Sequence, residues 1–145
     1  MARNTLKLDT RGFEEMLKKL DSLGGDVQKA VTDALTQSAE TIEQDTRSAM
    51  VAANLPAGGK YSQGDTVQSI ISNPQVNWEG NVAWVPIGFD FSKPGAGGFL
   101  ITGTPRMQPN RALQLMYKRK KYMNQIQNDM SEVIMDYVIE KMEEN

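Results

Sequence analysis

The segment from Gly97 to Ala112 constrains the fold most, because its glycines and prolines prevent a helix or strand from running through it. Within it, only Phe99–Ile101 is apolar enough to form a brief strand or a helical turn. Pro109 falls near the first turn of the next helical pattern, where a missing N–H costs nothing. We therefore predict a rigid corner between a middle region and a C-terminal helix. A simple turn between two elements accounts for the same spacing.

The sequence from Pro109 to Glu144 contains no interior glycine or proline, which predicts one C-terminal helix over about 109–143. Its apolar residues between Met123 and Met142 recur at steps of three and four. That stripe is typical of a core-facing helix and also of a short coiled-coil seam, and the pattern leaves both open.

Four consecutive cations, Lys118, Arg119, Lys120 and Lys121, are the strongest electrostatic feature of the chain. Adjacent residues spread around most of a helix circumference, although Lys118 and Lys121 would share one face of a continuous helix. Such a patch suits contacts with phosphates. A solvated midsection of the helix accounts for the same charges, so both interpretations stay open.

Two helices are predicted in the first part of the chain. From Phe13 onward apolar residues recur at helical spacing, with Thr10 as the expected N-cap. Gly24–Gly25 ends that helix, and Asp26 caps an alanine-rich second helix that extends to about residue 54. At roughly 28 residues this helix would span about 40 Å. That length fits a long core helix, or one whose end meets another subunit.

Short alternating runs predict a small antiparallel sheet. Leu6–Leu8 suggests an edge strand or an extended arm, and Gln75–Trp78 with Val82–Ile87 reads as a hairpin connected by Glu79–Asn81. Pro86 should lie at a sheet edge or a strand end, since it cannot donate to a ladder. We expect the two tryptophans to pack the sheet against the long helix rather than to stack on a ligand.

Together these patterns predict an α+β fold in which long N-terminal and C-terminal helices pack on a small antiparallel β-sheet. The 145 residues fit a single domain, with helices over about 10–54, the β-hairpin and loops over about 55–108, and the last helix after them.

The composition excludes several kinds of site. The chain has no cysteine and no histidine, which removes thiolate chemistry, the commonest acid–base group and the commonest metal ligand. No apolar run approaches the length of a membrane span. We therefore expect no enzymatic activity, no catalytic, cofactor-binding or metal site, and no membrane partner. The net charge of −2 does not by itself indicate a nucleic-acid partner.

A series of short motifs covers nearly the whole chain. Gly12–Leu20 reads Gly-Phe-Glu-Glu-Met-Leu-Lys-Lys-Leu, and an alanine-rich helix, Thr66–Ile70 and the hairpin follow. Phe99–Thr104 and Met107–Ala112 then lead into the terminal helix. This order resembles the neck or tail-completion protein family of long-tailed bacteriophages, which is related to minor head–tail joining proteins. The chain departs from the family pattern at Val67, at Thr102 and at Asn110–Ala112.

The resemblance implies a structural virion protein of the head–tail connector, which joins or completes the tail at the capsid portal and assembles as a ring around the DNA channel. It implies copies of the chain, other connector and tail proteins and phage DNA as contacts, and no cofactor. The protein would reside in the host cytoplasm before assembly and at the head–tail junction of the virion afterwards. We expect the cations at 118–121 to make an electrostatic contact with DNA or an acidic neighbour. The candidate interface residues are those of the corner, namely Phe99, Leu100, Gly103, Thr104 and Pro105.

Two other classes of function stay open. One is a phage nucleic-acid-binding or packaging accessory protein, which the near-neutral charge disfavours. The other is a helical interaction module unrelated to phages, which would form a small oligomer without a ring.

Overall fold

A computed structural model describes residues 4–53, 68–90, 101, 105 and 110–144. The predicted α+β fold is confirmed, because long helices pack on a three-stranded antiparallel sheet. A 3₁₀ turn over Thr10–Phe13 follows the first strand. The strands and helices, in chain order, are β1 (Asn4–Asp9), α1 (Glu14–Ser22), α2 (Val27–Ala53), β2 (Asn77–Glu79), β3 (Val82–Ile87), α3 (Arg111–Lys118) and α4 (Lys120–Glu144).

The sheet has the order β1-β3-β2, so β1 is an edge strand, as its sequence predicts. Leu6 lies opposite Val85 and Leu8 opposite Ala83, and all four side chains are buried on the face toward the helices. The alternation of apolar and polar residues in β1 therefore fixes the register with β3. Pro86 lies one residue before the end of β3, which agrees with the predicted strand-end position.

The connection between β2 and β3 is shorter than the sequence suggests. Glu79 already pairs with Val82, which leaves only Gly80 and Asn81 in the turn. Gly80 has a φ of 61°, in the left-handed region that favours glycine. This is the pattern of a two-residue hairpin whose first turn residue needs a positive φ.

Asp9, and not Thr10, caps the first helical turn. Its side chain accepts a hydrogen bond from the backbone N–H of Arg11 at 3.0 Å, and the Arg11 guanidinium lowers the pKa of this carboxyl to about 2. The Thr10 hydroxyl donates to the carbonyl oxygen of Asn81 at 2.9 Å instead. The prediction of Thr10 as the cap is therefore wrong, because that hydroxyl ties the 3₁₀ turn to the hairpin.

Helix α2 is a core helix along its described length. Asp26 caps it as predicted, accepting the N–H of Lys29 at 3.0 Å. The helix packs against the sheet, α3 and α4. The side chains of 51–53 at its end lie outside the described residues, so an end that meets another subunit stays a prediction. Its buried residues are Ala30, Val31, Ala34, Leu35, Ser38, Ala39, Ile42, Thr46, Ala49 and Met50.

Helix α4 buries a stripe with a regular spacing of four residues. Ile126, Met130, Ile134 and Val138 are all buried, and α4 packs along α1, α2 and α3. These four residues of the predicted stripe therefore face the core of the same chain. For this face of α4 the core-facing interpretation is correct and the coiled-coil seam is not.

Replacing a buried methionine of α4 should destabilise the protein far more than replacing an exposed one. Met130 is fully buried whereas Met135 is 40% exposed. We expect Met130→Ala to lower the free energy of unfolding by about 2–5 kcal/mol. Met135→Ala is the matched control and should change it by less than about 1 kcal/mol. Urea unfolding followed by circular dichroism measures both, and equal losses would contradict the assigned helix face.

Candidate interaction surface

The structure describes only part of the predicted corner interface. Pro105 is exposed, whereas its neighbour Ile101 is buried and belongs to the core cluster around α2. Ile101 thus anchors the segment to the core. The other candidate residues, Phe99, Leu100, Gly103 and Thr104, lie outside the described residues.

The four cations mark a break between two helices, which corrects the prediction of one continuous C-terminal helix. Arg119 has φ −109° and ψ 145°, an extended conformation that ends α3 and precedes α4. Lys118 is the last residue of α3, while Lys120 and Lys121 begin α4. All four side chains are exposed. Lys118 and Lys121 therefore belong to different helices and do not share the face that the sequence predicts.

Two tyrosines on either side of the break account for it. The hydroxyl of Tyr117 lies 2.5 Å from that of Thr46, and the hydroxyl of Tyr122 donates to Asp45 at 2.6 Å. On one continuous helix these tyrosines, five positions apart, would point about 140° away from each other. The extended conformation at Arg119 lets both reach the same part of α2.

The surroundings of Tyr117, the first of these two tyrosines, are tightly packed. Thr46 donates its only hydroxyl hydrogen to the carbonyl oxygen of Ile42 at 2.7 Å, so Tyr117 must be the donor to Thr46. A Cβ added at Gly88, where φ is +86°, would lie 3.1 Å from the ring of Tyr117. Burial raises the pKa of Tyr117 to about 12, and burial with the neighbouring Asp45 raises the pKa of Tyr122 as well.

Four large apolar side chains are exposed in the part of the chain that the structure describes, and all four lie on α3 and α4. Leu115 is 46% exposed on α3. Met135, Ile139 and Met142 are 40%, 45% and 52% exposed, and their spacing of four and three places them on one face of α4. The sequence analysis placed Met142 in a stripe that was either core-facing or a coiled-coil seam, and the structure places it outside the core. The sequence analysis did not identify the other three as an exposed surface.

Charges of opposite sign surround these apolar side chains. We define the basic patch as Leu115 with the exposed cations Arg111, Lys118 and Arg119. The acidic patch combines the exposed stripe of α4 with three exposed carboxylates. Among the described residues, no ion pair involves any charged group of either patch. The members of the acidic patch are Met135, Ile139, Met142, Glu132, Asp136 and Glu143.

A groove of about 520 Å³ lies between α1, the start of α2 and the hairpin turn. Trp78 lines it and also packs on the core, which agrees with the predicted packing role of this residue. Trp84 lies between the buried Ala83 and Val85 of β3 and therefore on the opposite face of the sheet, so the same prediction is wrong for Trp84. Glu14 and Lys18 in its wall bind each other at 2.8 Å. Over the described ranges, no group of three or more histidine, cysteine or carboxylate side chains is placed to hold a metal ion. None of the described helices is long and apolar enough to cross a membrane.

Comparisons of the chain with protein-family models, with curated proteins and with solved structures found no match.

Removing the Tyr117 hydroxyl should weaken the attachment of α3 to α2. It should also make the free energy of unfolding less sensitive to alkaline pH. Tyr117→Phe should cost about 0.5–2 kcal/mol near neutral pH. The pKa of Tyr117 is raised from 10.0 to about 12, so its contribution is complete below pH 10 and is lost as the pH rises toward 12. Between about pH 9 and pH 11 the wild type should therefore lose about 1 kcal/mol more stability than the variant.

Urea unfolding at both pH values measures this difference. Every other side chain is the same in the two proteins, so the effects of all other groups cancel in the comparison. Equal slopes in the two proteins would show that Tyr117 is not held in its neutral form by the fold.

Proposed function

We propose that this chain is a structural protein of the bacteriophage head–tail connector, a neck or tail-completion subunit that assembles as a ring around the DNA channel. The order of motifs from Gly12 to Ala112 supports the family. The observation that carries the assembly role is the exposed apolar stripe of Met135, Ile139 and Met142. A contiguous stripe of this kind gains free energy when another chain covers it.

A single buried core joins the sheet, α2 and α4, which suits a subunit that must stay folded within a large assembly. The sheet packs on α2, and α4 packs on the same helix, so one buried cluster links both ends of the chain. The surfaces of α3 and α4 are then left for contacts with copies of the chain and with other connector and tail proteins. In this role the protein acts by binding, and no catalytic residue or cofactor is required.

The cations at the helix break would provide an electrostatic contact in the assembled particle. Lys118, Arg119, Lys120 and Lys121 are all exposed. Arginine and lysine contacts to phosphates position a protein on DNA without reading its sequence. Any contact of a channel subunit with the passing DNA would have to be of this sequence-independent kind, because every sequence of the genome passes through.

Electron microscopy of particles made when the gene for this chain is silenced in its parent phage tests the proposal. We expect DNA-filled heads together with separate, finished tails, because the joint between them is missing. The gene supplied in trans should restore joined particles. Normal infectious particles would refute the neck assignment, and heads without DNA would point to packaging instead.

A role as a nucleic-acid-binding or packaging accessory protein is the second candidate, and one observation favours it. The segment 111–121 contains five cations and no carboxylate, although the whole chain has a net charge of −2. A local surface of this kind binds duplex DNA more tightly than the net charge suggests.

Salt titration of DNA binding by the purified protein tests this candidate. If the cluster binds duplex DNA, Lys120→Gln/Lys121→Gln should weaken binding and reduce the slope of log K against log salt by about 1–2. Lys19→Gln/Lys29→Gln removes two exposed cations elsewhere and is the matched control. No measurable binding at about 50 mM salt would refute an intrinsic DNA-binding function.

A further inference from the structure

The two charged patches lie at opposite ends of one helix pair. The segment 111–121 carries five cations, and the segment 129–144 carries six carboxylates and one lysine. Lys121 and Ile139 are 18 positions apart, which is five full helical turns, so they lie on the same line along α4. Their separation along that line is about 27 Å. The basic patch precedes Lys121 and lies on α3 and the break, and α3 has only eight residues, or a length of about 12 Å. The basic patch of one molecule is therefore too far away to cover its own acidic patch.

We propose that the acidic patch on α4 of one copy binds the basic patch on α3 of a second copy, in a head-to-tail contact. Leu115 of one copy packs among Met135, Ile139 and Met142 of the next. The surrounding cations then face the surrounding carboxylates. Four side chains that water now contacts are buried in the same step.

A second copy is the occupant because both halves of a complementary contact lie on the same chain. Each patch has apolar side chains at its centre and charges of a single sign around them. This is the arrangement of protein interfaces, in which an apolar centre supplies affinity and a charged rim sets orientation. Two acidic patches, or two basic patches, would repel each other, which disfavours a symmetric contact through either surface alone.

A head-to-tail contact generates a closed ring or an open filament, depending on the rotation between copies. If the chain forms the proposed connector ring, these two patches are the surfaces through which the ring forms. This link to the ring rests on the proposed function. The association itself follows from the two patches. It can therefore be tested on the purified chain, without phage.

A pair of complementary variants distinguishes a contact between the two different patches from a symmetric contact through one patch alone. Ile139→Lys adds a cation to the acidic patch, and Leu115→Glu adds a carboxylate to the basic patch. We expect the wild type to associate in sedimentation velocity runs, and each variant alone to associate at least about tenfold more weakly. An equimolar mixture should recover association, because the intact basic patch of the first variant meets the intact acidic patch of the second.

Control variants separate loss of the contact from loss of the fold. Ile139 and Leu115 are nearly half exposed, so circular dichroism melting curves should stay close to those of the wild type. Gln44→Lys and Gln44→Glu add the same charges at an exposed position of α2 and should leave association unchanged. Zero-length carbodiimide crosslinking of mixed ¹⁴N and ¹⁵N protein should join a lysine of 118–121 to a carboxylate of 132–144 between copies.

Three results would overturn the proposal. The first is a wild type that stays monomeric at every concentration and salt tested. The second is a Leu115→Glu variant that associates like the wild type, since this would mean a symmetric contact through α4. The third is a mixture of the two variants that does not associate. Separate heads and tails in the silencing experiment, together with any of these results, would leave the neck assignment in place and move the ring contact to another surface.

Discussion

The width of the buried surface on α2 is the constraint on which the rest of the structure depends. At 100° per residue, its buried positions from Ala30 to Met50 cover roughly 200° of the helix circumference. An amphipathic helix that packs on one neighbour needs an apolar arc of only about half that width. Helix α2 therefore needs two packing partners to bury this arc, and the sheet and α4 are those partners. The alanines and Ser38 on this arc are small, which lets both layers approach closely.

The break at Arg119 follows from the same central helix. The sheet, α3 and α4 all pack on α2, so the two C-terminal helices must each be placed against it. Tyr117 in α3 bonds to Thr46, and Tyr122 at the start of α4 bonds to Asp45. Arg119 leaves helical geometry at the break, so the four cations belong to the end of α3, the break and the start of α4.

Periodicity in the sequence was sufficient to predict most of the fold. Leu6 and Leu8 predicted β1, and Gly24–Gly25 with Asp26 predicted the boundary between α1 and α2. These features were predictable because their causes are local: side-chain alternation, left-handed glycine and an aspartate cap. The break at Arg119 was not predictable in this way, since no glycine or proline marks it. Its cause is a pair of hydrogen bonds to residues more than 70 positions earlier in the chain.

The candidate surface was only partly predictable, for a related reason. The cations at 118–121 stand out in any reading of the sequence, and their exposure agrees with the structure. Met135 and Ile139 do not stand out, because α4 has apolar residues on two faces and periodicity alone does not say which face the core covers. Drawing both faces on a helical wheel would have identified the second stripe. The packing of α2 was needed to assign one of them to the core.

The small net charge of the chain conceals its electrostatic character. The segment 111–121 carries +5 from five cations, and the segment 129–144 carries −5 from six carboxylates and Lys141. These two charges cancel in the sum, but they lie at opposite ends of α4 and do not neutralise each other in space. Exposed ion pairs contribute little free energy individually, so the charges would orient two copies while the apolar side chains supply most of the affinity. Under the proposed contact, a copy that approaches with like ends together would be repelled and one that approaches head to tail would be accepted, which is the geometry of a ring or a filament.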